Sequence, residues 1–402
     1  LVRVYEYSSN SWTKLGADFT GDASDEIRFV SLSSDGSRLA IGSERHDNFK
    51  GRVQVYSYNS GSWSQLGSDI DGANANDSCG KVSLSSDGAK VAIGCRGYNS
   101  NIGRVIVFAY DSGSWAQFGS NAIDGVLAND EEGNAVSLSG DGLRVAVNSY
   151  KFDWSANPKS RGRTRVFAYS AGSWAKLGSD IEGAGERDAD GSGGDRGIAL
   201  SRDGSRLAVG SVKHPDNTGA GHVRVFEYNT DTSAWEQLGS NIDAEVGNQH
   251  FGTSVSLSKD GMKLAASATV HKDSNLNPNG NNDIGGRVRI FEYSGSEWTQ
   301  IAYIDGEATG DSFGKNVALS DAGSTVVIGG YHNDGGGNKA GHVRVFELPV
   351  SCAANERVAS NACVACASGT TNSAGDDASG ADTTCDATLC AANERVASNA
   401  CV

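Results

Sequence analysis

The chain has 402 residues and a formal net charge of -15 at pH 7. This acidic balance argues against a role that rests on binding phosphate backbones, so we expect no nucleic-acid partner. Gly is abundant (53 residues) and Pro is scarce (4), which predicts many short strands joined by glycine turns. The longest apolar runs are far too short to span a bilayer, so we expect no direct membrane span in this chain.

A repeated unit occupies about the first 350 residues, and a clear copy runs from Gly51 to Gly72. Each full unit has four strand-like segments, named a to d in chain order. Segment a is a VSLS run, and segment b is an apolar run after an Asp-Gly turn. Segment c resembles GxVRVFEY, and segment d surrounds a Trp. Asp-Gly between apolar runs predicts a hairpin, because Gly accepts positive φ and Asp bonds its own backbone.

Segment c carries apolar bulk on both faces, as expected when small sheets stack face to face. We therefore predict an all-β fold, a β-propeller of four-stranded blades over residues 1–348. The repeated Trp residues are predicted to pack between blades. Segments a, b and d each occur six times and segment c seven times. The count favours seven blades with an incomplete first blade, and six blades are the alternative.

The composite pattern FGxxVSLSxDGxxLAVG followed by GxVRVF is clearest at Phe251-Gly252 and Phe313-Gly314. It resembles the FG-GAP repeat of integrin-α-type propellers, which implies the same fold for residues 1–348. Repeats of that family often carry a calcium loop, DxDxDGxxD, between strands a and b. Here the hairpin has only SxDGxxL, with an apolar residue at the last carboxylate position, so these turns lack a calcium ligand set.

One later loop is a candidate metal site. Asp188, Asp190 and Asp195 form DxDGxxxD, a partial calcium motif whose Gly suits oxygens that converge on one ion. No cofactor is certain from the sequence, and calcium is the possible one.

In a four-stranded meander the b–c and d–a loops share one end of the propeller. The d–a loops carry repeated acids and the b–c loops carry His, and long loops on a rigid scaffold often bind ligands. One interpretation is that these residues cap turns and bond loop backbones. The other is an acidic, His-bearing face for a cation, a sugar or a protein. The candidate residues of this face are His46, Asp77, Asp130, His214, His271, Asp311 and His332.

No nucleophile elbow, Walker loop or HExxH motif is present, so we expect the chain not to be an enzyme. A sialidase-like glycosidase is the enzymatic alternative, although its SxDxGxxW boxes would need a Trp that these turns lack. The repeated arginines of segment c are instead expected to pair with acids of neighbouring blades. They are Arg3, Arg165, Arg224, Arg289 and Arg344.

After residue 348 the composition changes. CAANERVASNACV occurs at residues 352–364 and again at 390–402, a period of 38 residues that points to a truncated tandem array. We expect residues 349–402 to form a disulfide-rich stalk, broadly similar to the EGF- or TNF-receptor-type modules of secreted surface proteins. Neighbour pairing is the simplest hypothesis, and zinc at Cys363 and Cys366 is an alternative. The cysteines of this stalk are Cys352, Cys363, Cys366, Cys385, Cys390 and Cys401.

Two further cysteines, Cys79 and Cys95, flank one a–b hairpin, and we expect a disulfide between them. The eight cysteines favour an extracellular or cell-surface location. Asn76 begins a standard N-glycosylation sequon. The chain starts without Met and ends inside a repeat, so we expect a piece of a longer, processed protein.

Together these features predict a non-enzymatic, extracellular structural or adhesive module. A subunit of a surface filament, such as a flagellar-hair-like appendage, is the concrete version, with self-assembly or another extracellular protein as the partner. This step rests on analogy, because a fold does not determine a function. The alternative is a lectin-like propeller that binds a glycan, and a sialidase-like glycosidase is less favoured.

Overall fold

A computed structural model represents the chain. It describes residues 1–21, 25–152, 161–183, 197–213, 219–270, 285–337 and 340–348, together with short parts of the segment that follows. The chain divides into two compact units. The first consists of Leu1–Gly323 and Val327–Val345, and the second of Ser324–Val326 and Phe346–Val402. No described helix is long and apolar enough to cross a membrane.

The first unit is a β-propeller, and the predicted all-β fold is confirmed. Six segment-a strands surround a central channel. Each is followed by a b strand and a c strand in an antiparallel meander. The a strands are β3 (Phe29–Leu32), β8 (Cys79–Leu84), β13 (Ala135–Leu138), β18 (Ile198–Leu200), β23 (Phe251–Leu257) and β27 (Phe313–Leu319). The b strands are β4 (Arg38–Ser43), β9 (Lys90–Cys95), β14 (Arg144–Ser149), β19 (Arg206–Ser211), β24 (Lys263–Ala268) and β28 (Thr325–Gly330).

The c and d strands form the outer part of each blade. The c strands are β5 (Arg52–Asn59), β10 (Arg104–Asp111), β15 (Arg163–Ser170), β20 (His222–Asn229), β25 (Arg287–Tyr293) and β29 (His342–Glu347). The d strands are β6 (Ser62–Gln65), β11 (Ser114–Gln117), β16 (Ser173–Lys176), β21 (Ala234–Gln237) and β26 (Trp298–Asp305). In the first four blades a two-residue strand also pairs with c: β7 (Ile70–Asp71), β12 (Ile123–Asp124), β17 (Ile181–Glu182) and β22 (Ile242–Asp243).

The structure has six blades, so the preference for seven was wrong. The first c and d segments, β1 (Tyr5–Ser8) and β2 (Ser11–Lys14), pair only with each other among the described strands. The count treated every c segment as part of a ring-forming blade, whereas only six a strands face the channel. The sixth blade has the three strands β27, β28 and β29. The hairpin β1–β2 packs on the first blade, where Val4 is buried with Leu39 and Ile41.

A side-chain network explains the repeated Asp-Gly turns. In the first blade the Ser33 hydroxyl donates to Asp35 (2.6 Å) and accepts the Arg38 amide N–H (2.9 Å). The Asp35 carboxylate also accepts the Ser37 amide N–H at 3.0 Å. These bonds hold the pKa of Asp35 down, to about 2. The same Ser-to-Asp bond of 2.6 Å recurs at Ser85–Asp87, Ser139–Asp141, Ser201–Asp203 and Ser258–Asp260.

Close approach of neighbouring blades explains the Phe-Gly pattern and its substitute Cys79-Gly80. A Cβ on Gly42 would lie 1.9 Å from the carbonyl oxygen of Gly80 in the next blade. Any larger residue at position 42 would therefore push the inner strands apart. The apolar core lies in the resulting layers between blades. In the first such layer Val53 and Val55 pack with Leu84, among others.

The b–c connections of the first two blades are short turns, α1 (His46–Phe49) and α2 (Tyr98–Asn101). Both contain residues in the left-handed region, such as Asp47 (φ 45°) and Asn99 (φ 47°). Asn and Asp tolerate this region better than most residues do.

In the second unit the described strands form three small hairpin-like pairs. They are β30 (Glu356–Ala359) with β31 (Ala362–Ala365), β32 (Thr370–Thr371) with β33 (Asp386–Ala387), and β34 (Val396–Ala397) with β35 (Ala400–Cys401). Cys366 is disulfide-bonded. The pairing of the other stalk cysteines lies outside the described side chains.

Candidate functional site

The channel has a narrow polar interior. It encloses about 190 Å³ and is lined by alternating apolar and mostly Ser positions of the a strands. The hydroxyls are engaged in bonds between blades: Ser31 Oγ accepts the Leu84 amide N–H at 3.0 Å, and Ser83 Oγ accepts that of Leu138 at 3.0 Å. The hydroxyls of the interior are thus occupied by hydrogen bonds between neighbouring inner strands. The side chains available to a ligand therefore lie at the two ends of the channel.

One end of the channel is closed by Arg202, which lies in the a–b turn of the fourth blade. Its Nε donates to Asp321 in the sixth blade (2.5 Å), and its second nitrogen donates to Ser86 in the second blade (2.8 Å). Backbone hydrogen bonds also join the successive a–b turns, including Gly140 N to Arg202 O at 2.6 Å. Because its partners belong to three different blades, Arg202 lies across this end of the channel.

The opposite end carries a charged cluster built by the first three blades. Glu44 directly follows β4 and bonds to Lys81 Nζ (3.4 Å) and to Arg96 Nε (3.2 Å). Arg96 also contacts Glu131 (3.3 Å), which pairs with Lys151 as well. We call these five residues the rim cluster. Lys81 links the cluster to the channel, because it lines the interior and lies 3.8 Å from the centre of the Phe29 ring.

Burial divides the rim cluster into a base and an outer part. Glu44, Lys81 and Glu131 are buried, whereas the side chains of Arg96 and Lys151 are 37% and 31% exposed. Burial alone would lower the pKa of Lys151, but hydrogen bonds with Glu131 and Tyr150 outweigh it and raise that pKa. Three cations thus stand against two carboxylates, and two of the cations reach solvent. This arrangement suits a small anion.

A second group of basic residues belongs to the fourth, fifth and sixth blades. Burial, and then the positive charges of Lys315 and Lys213, lower the pKa of His250. Lys213 and Lys315 are exposed, and in the described part of the chain neither has an ion pair. His250 is therefore a neutral imidazole near two free ammonium groups at pH 7.

Beside the rim cluster lies a buried, balanced set of charges. Arg165 contacts Glu132 at 2.9 Å, and Arg163 contacts Glu132 and Asp130 at 3.6 and 3.4 Å. Burial raises the pKa of Asp130 although Arg163 is near. Glu132, the partner of Arg165, lies in the loop that joins the second and third blades. Arg289 pairs with Glu245 (3.6 Å), in the loop that joins the fourth and fifth blades, and also donates to the carbonyl of Asp243 (2.8 Å). Arg224 donates to the carbonyl of Glu182 (2.7 Å).

The repeated loop acids of the predicted binding face point inward. Asp77, Asp130 and Asp311 are 4%, 2% and 4% exposed. Asp77 accepts the Asn74 amide N–H (2.9 Å) and Asp130 accepts that of Leu127 (3.1 Å). Asp311 accepts the side-chain N–H of Asn333 at 2.8 Å. The structure thus places these acids in loop-stabilising hydrogen bonds, the first of the two interpretations.

The His residues of that predicted face are scattered. His46 Nδ1 lies 2.7 Å from Asp25, and the His332 ring lies 3.7 Å from that of Tyr331. His214, His271 and the weak calcium candidates Asp188, Asp190 and Asp195 lie outside the described residues. Among the residues that the structure describes, no group of three or more His, Cys, Asp or Glu is placed to hold a metal.

The structure contains the predicted disulfide between Cys79 and Cys95, across the base of β8 and β9. Glycosylation at Asn76 and the extracellular location stay predictions.

The rim cluster was missed by the sequence argument, which followed residues that recur in every copy. Its members occupy positions where the repeat varies. Lys81 stands directly before the VSLS run, where the fifth blade has Ser254, and Glu44 and Arg96 occupy the variable position after each b strand. The sequence feature that could have indicated the rim cluster was a charged residue at a variable position next to the predicted inner strand.

No family model and no curated protein matches this chain. The FG-GAP resemblance therefore stays a prediction. Several solved propellers share the fold at low sequence identity. A putative 6-phosphogluconolactonase from Bacteroides uniformis is 14% identical with a TM-score of 0.57, over 86% of this chain and 87% of that chain. Another from Bacteroides fragilis is 14% identical with a TM-score of 0.53, over 84% and 83%. A functionally unknown protein from Desulfotomaculum acetoxidans is 11% identical with a TM-score of 0.55, over 86% and 89%.

These comparisons correct the sequence-based prediction of function. The non-enzymatic extracellular structural or adhesive module, including its filament version, is contradicted, because two propellers of this fold carry the name of a lactonase. The same names conflict with the prediction that the chain is not an enzyme. At 14% identity the likeness itself shows the fold alone.

Proposed function

We propose that the open end of the channel binds a small anionic molecule of the sugar-acid class, and that the chain hydrolyses a lactone of that class. The observation that carries the proposal is the rim cluster, in which Arg96 and Lys151 reach solvent and three cations face two carboxylates. The 6-phosphogluconolactonase name of two propellers with this fold supports the choice of substrate class.

Electrostatics favours an anion at this place although the chain as a whole is acidic. The carboxylates of Glu44 and Glu131 are buried, and each already pairs with two cations of the cluster. Arg96 supplies planar donors that suit a phosphate or a carboxylate, and Lys151 supplies a point charge. Because the base of the cluster is buried, such contacts are stronger than on a fully exposed surface.

His250 is the candidate base for the hydrolysis. Its lowered pKa keeps the imidazole neutral at pH 7, so it can accept a proton from water. The oxygen of that water attacks the lactone carbonyl carbon, the ring C–O bond breaks, and the released ring oxygen takes up a proton. One water and one lactone give one hydroxy acid, and this reaction needs no oxidant and no metal.

Binding is tested with 6-phosphogluconate, the stable product analogue, by isothermal titration calorimetry. We expect the Arg96→Met/Lys151→Met double variant to bind at least about tenfold more weakly, because two charge-assisted contacts are lost. Lys176→Met is the matched control, since Lys176 lies on the outer strand β16 and pairs with Asp180. Absence of measurable binding to the unaltered chain would overturn the proposal.

Catalysis is tested separately, by following hydrolysis of freshly made 6-phosphogluconolactone. His250→Asn should lower turnover by about 100-fold while it leaves binding of the product unchanged. Turnover of the unaltered chain no faster than the spontaneous reaction, with binding retained, contradicts the catalytic part alone.

A further inference from the structure

A groove separates the hairpin β1–β2 from the sixth blade. It has a volume of about 930 Å³ and lies within the first compact unit. Tyr5 and Trp12 line one side, and Val327, Val343 and Val345 line the other. Apolar side chains thus face each other across it, and polar side chains, among them Arg3 and Lys315, also line it.

The wall on the sixth blade is a face that every other blade buries. Val343 is 69% exposed, and Val345 and Val327 are each 36% exposed. Their counterparts in the five preceding blades are only 0–2% exposed. The counterparts of Val343 are Val53, Val105, Thr164, Val223 and Val288; those of Val345 are Val55, Val107, Val166, Val225 and Ile290; and those of Val327 are Ala40, Ala92, Ala146, Ala208 and Ala265.

The hairpin side of the groove also lacks a partner that the six blades have. Each c strand of the six blades pairs with a b strand, but among the described strands β1 pairs only with β2. Its inner backbone edge is therefore open to a further strand. Trp12 is 51% exposed, whereas Trp174, its counterpart in the third blade, is buried and donates to a carbonyl of the preceding blade.

We propose that this groove receives a β-hairpin of the repeat's own a–b type, VSLSxDGxxLAVG. The five other interfaces show what covers the exposed face. In the first of them, Val53 and Val55 pack against Leu84, Val91 and Ile93, which belong to the a and b strands of the next blade. A hairpin with apolar residues at those positions would cover Val343 and Val345 and extend the sheet from β1.

The occupant is a separate, unpaired hairpin segment. A second copy of the folded chain cannot supply it, because its a–b hairpins are already paired with c strands in their own blades. An apolar peptide without the strand alternation would lack the backbone donors and acceptors that the open edge of β1 needs. The chemistry of the groove thus selects a hairpin that alternates apolar and polar residues around an Asp-Gly turn.

The test uses a synthetic peptide with the sequence of residues 79–95, closed by its own Cys79–Cys95 disulfide. The crosslink preorganises the hairpin, which lowers the entropy lost on binding. Added to the full chain, the peptide should bind with measurable affinity, slow hydrogen exchange of the β1 amides and raise the melting temperature in a concentration-dependent way.

Two variants make the test specific. Val343→Asp/Val345→Asp should abolish the binding, the slowed exchange and the rise in melting temperature, because it places charges against the apolar face of the hairpin. Val126→Asp is the matched control, an exposed valine in a loop that does not line the groove. A peptide with Asp at the Val91 and Ile93 positions should also fail to bind. Absence of binding up to about 1 mM peptide, or equal binding to the Val343→Asp/Val345→Asp variant, overturns the proposal.

Discussion

The indole Nε1 of Trp174 donates a hydrogen bond of 2.8 Å to the carbonyl oxygen of Phe118, in the preceding blade. In four of these bonds the donor belongs to the blade after that of the acceptor, and in the fifth Trp63 of the first blade donates to Leu15, which follows the hairpin β1–β2. The bonds therefore run in one direction around the outside of the ring. They fasten the outer strand of each of these blades to the element before it in the ring. The equivalent pairs are Trp63–Leu15, Trp115–Leu66, Trp235–Leu177 and Trp298–Leu238.

Removal of this bond should destabilise the ring. Trp174→Phe leaves a carbonyl without its donor and removes buried ring area, so we expect the free energy of unfolding to fall by about 1–3 kcal/mol. Trp12→Phe is the control, because Trp12 is half exposed and should change the free energy by less than about 0.5 kcal/mol. Urea unfolding of both variants measures the difference. Equal losses would contradict the role given to the bond.

The Ser-Asp turns should make stability depend on acid pH. Hydrogen bonds, led by the one from Ser33, lower the pKa of Asp35 to about 2. At Asp87, Asp203 and Asp260 burial alone would raise the pKa, but Ser and backbone donors outweigh it and the pKa is lowered. A carboxylate with a lowered folded-state pKa stabilises the fold above its unfolded pKa, near 4, and that contribution is lost as the pH falls toward 2.

Asp35→Asn should therefore lose stability at pH 7 and show a smaller further loss between pH 4 and pH 2 than the unaltered chain. The loss at pH 7 should be about 1 kcal/mol, since an amide accepts the same hydrogen bonds less strongly than a carboxylate does. Asp231→Asn, at an exposed turn residue, is the control. Thermal melts at a series of pH values supply the measurement. A parallel pH dependence in Asp35→Asn and the unaltered chain would refute this account.

His250 should titrate below the ordinary value of a histidine. Burial, Lys315 and Lys213 all disfavour its protonation, so its midpoint should lie below 6.5. Lys315→Met removes one positive charge, which makes protonation easier and should move the midpoint upward. NMR titration of the His250 ring resonances measures this, with Lys176→Met as the distant control. No upward shift in Lys315→Met would show that Lys315 does not act on His250.

The Cys79–Cys95 disulfide should contribute to stability through the unfolded chain. It closes a loop with a sequence separation of 16, for which loop-closure entropy corresponds to about 3 kcal/mol. Cys79→Ala/Cys95→Ala should lose roughly that amount in urea unfolding. Reductant should remove this difference in stability between the unaltered chain and the variant, because any stalk disulfide, such as that of Cys366, is cleaved in both. Two free thiols in the untreated protein would rule out this contribution.

Much of the fold was predictable because its determinants are local and repeated. The a–b hairpin follows from the Asp-Gly turn, and the Ser33–Asp35 bond that stabilises it spans only two positions. The Cys79–Cys95 disulfide was predictable for the same reason, since both residues flank one hairpin. The number of blades was not predictable from the sequence. It depends on whether β1 pairs with a b strand, and no local sequence pattern indicates that pairing.

The candidate site was less predictable, because repetition marked residues that the fold itself needs. Asp77 and Asp130 recur since each loop requires an acceptor for its own backbone. Arg96, in contrast, sits at a variable position, and its role arises from contacts with Glu44 and Glu131, which lie 52 and 35 positions away in the sequence.

By itself the sequence determined the strand order, the turns and the apolar layers, because hydrogen bonds and alternation over a few residues specify them. The tertiary structure alone decided that six a strands enclose the channel, that Arg202 closes one end, and that the rim cluster lies at the other. It also left Val343 exposed beside β1. Each of these outcomes depends on how separate blades meet around one axis, and contacts between blades join residues whose separation in the chain leaves no local signature.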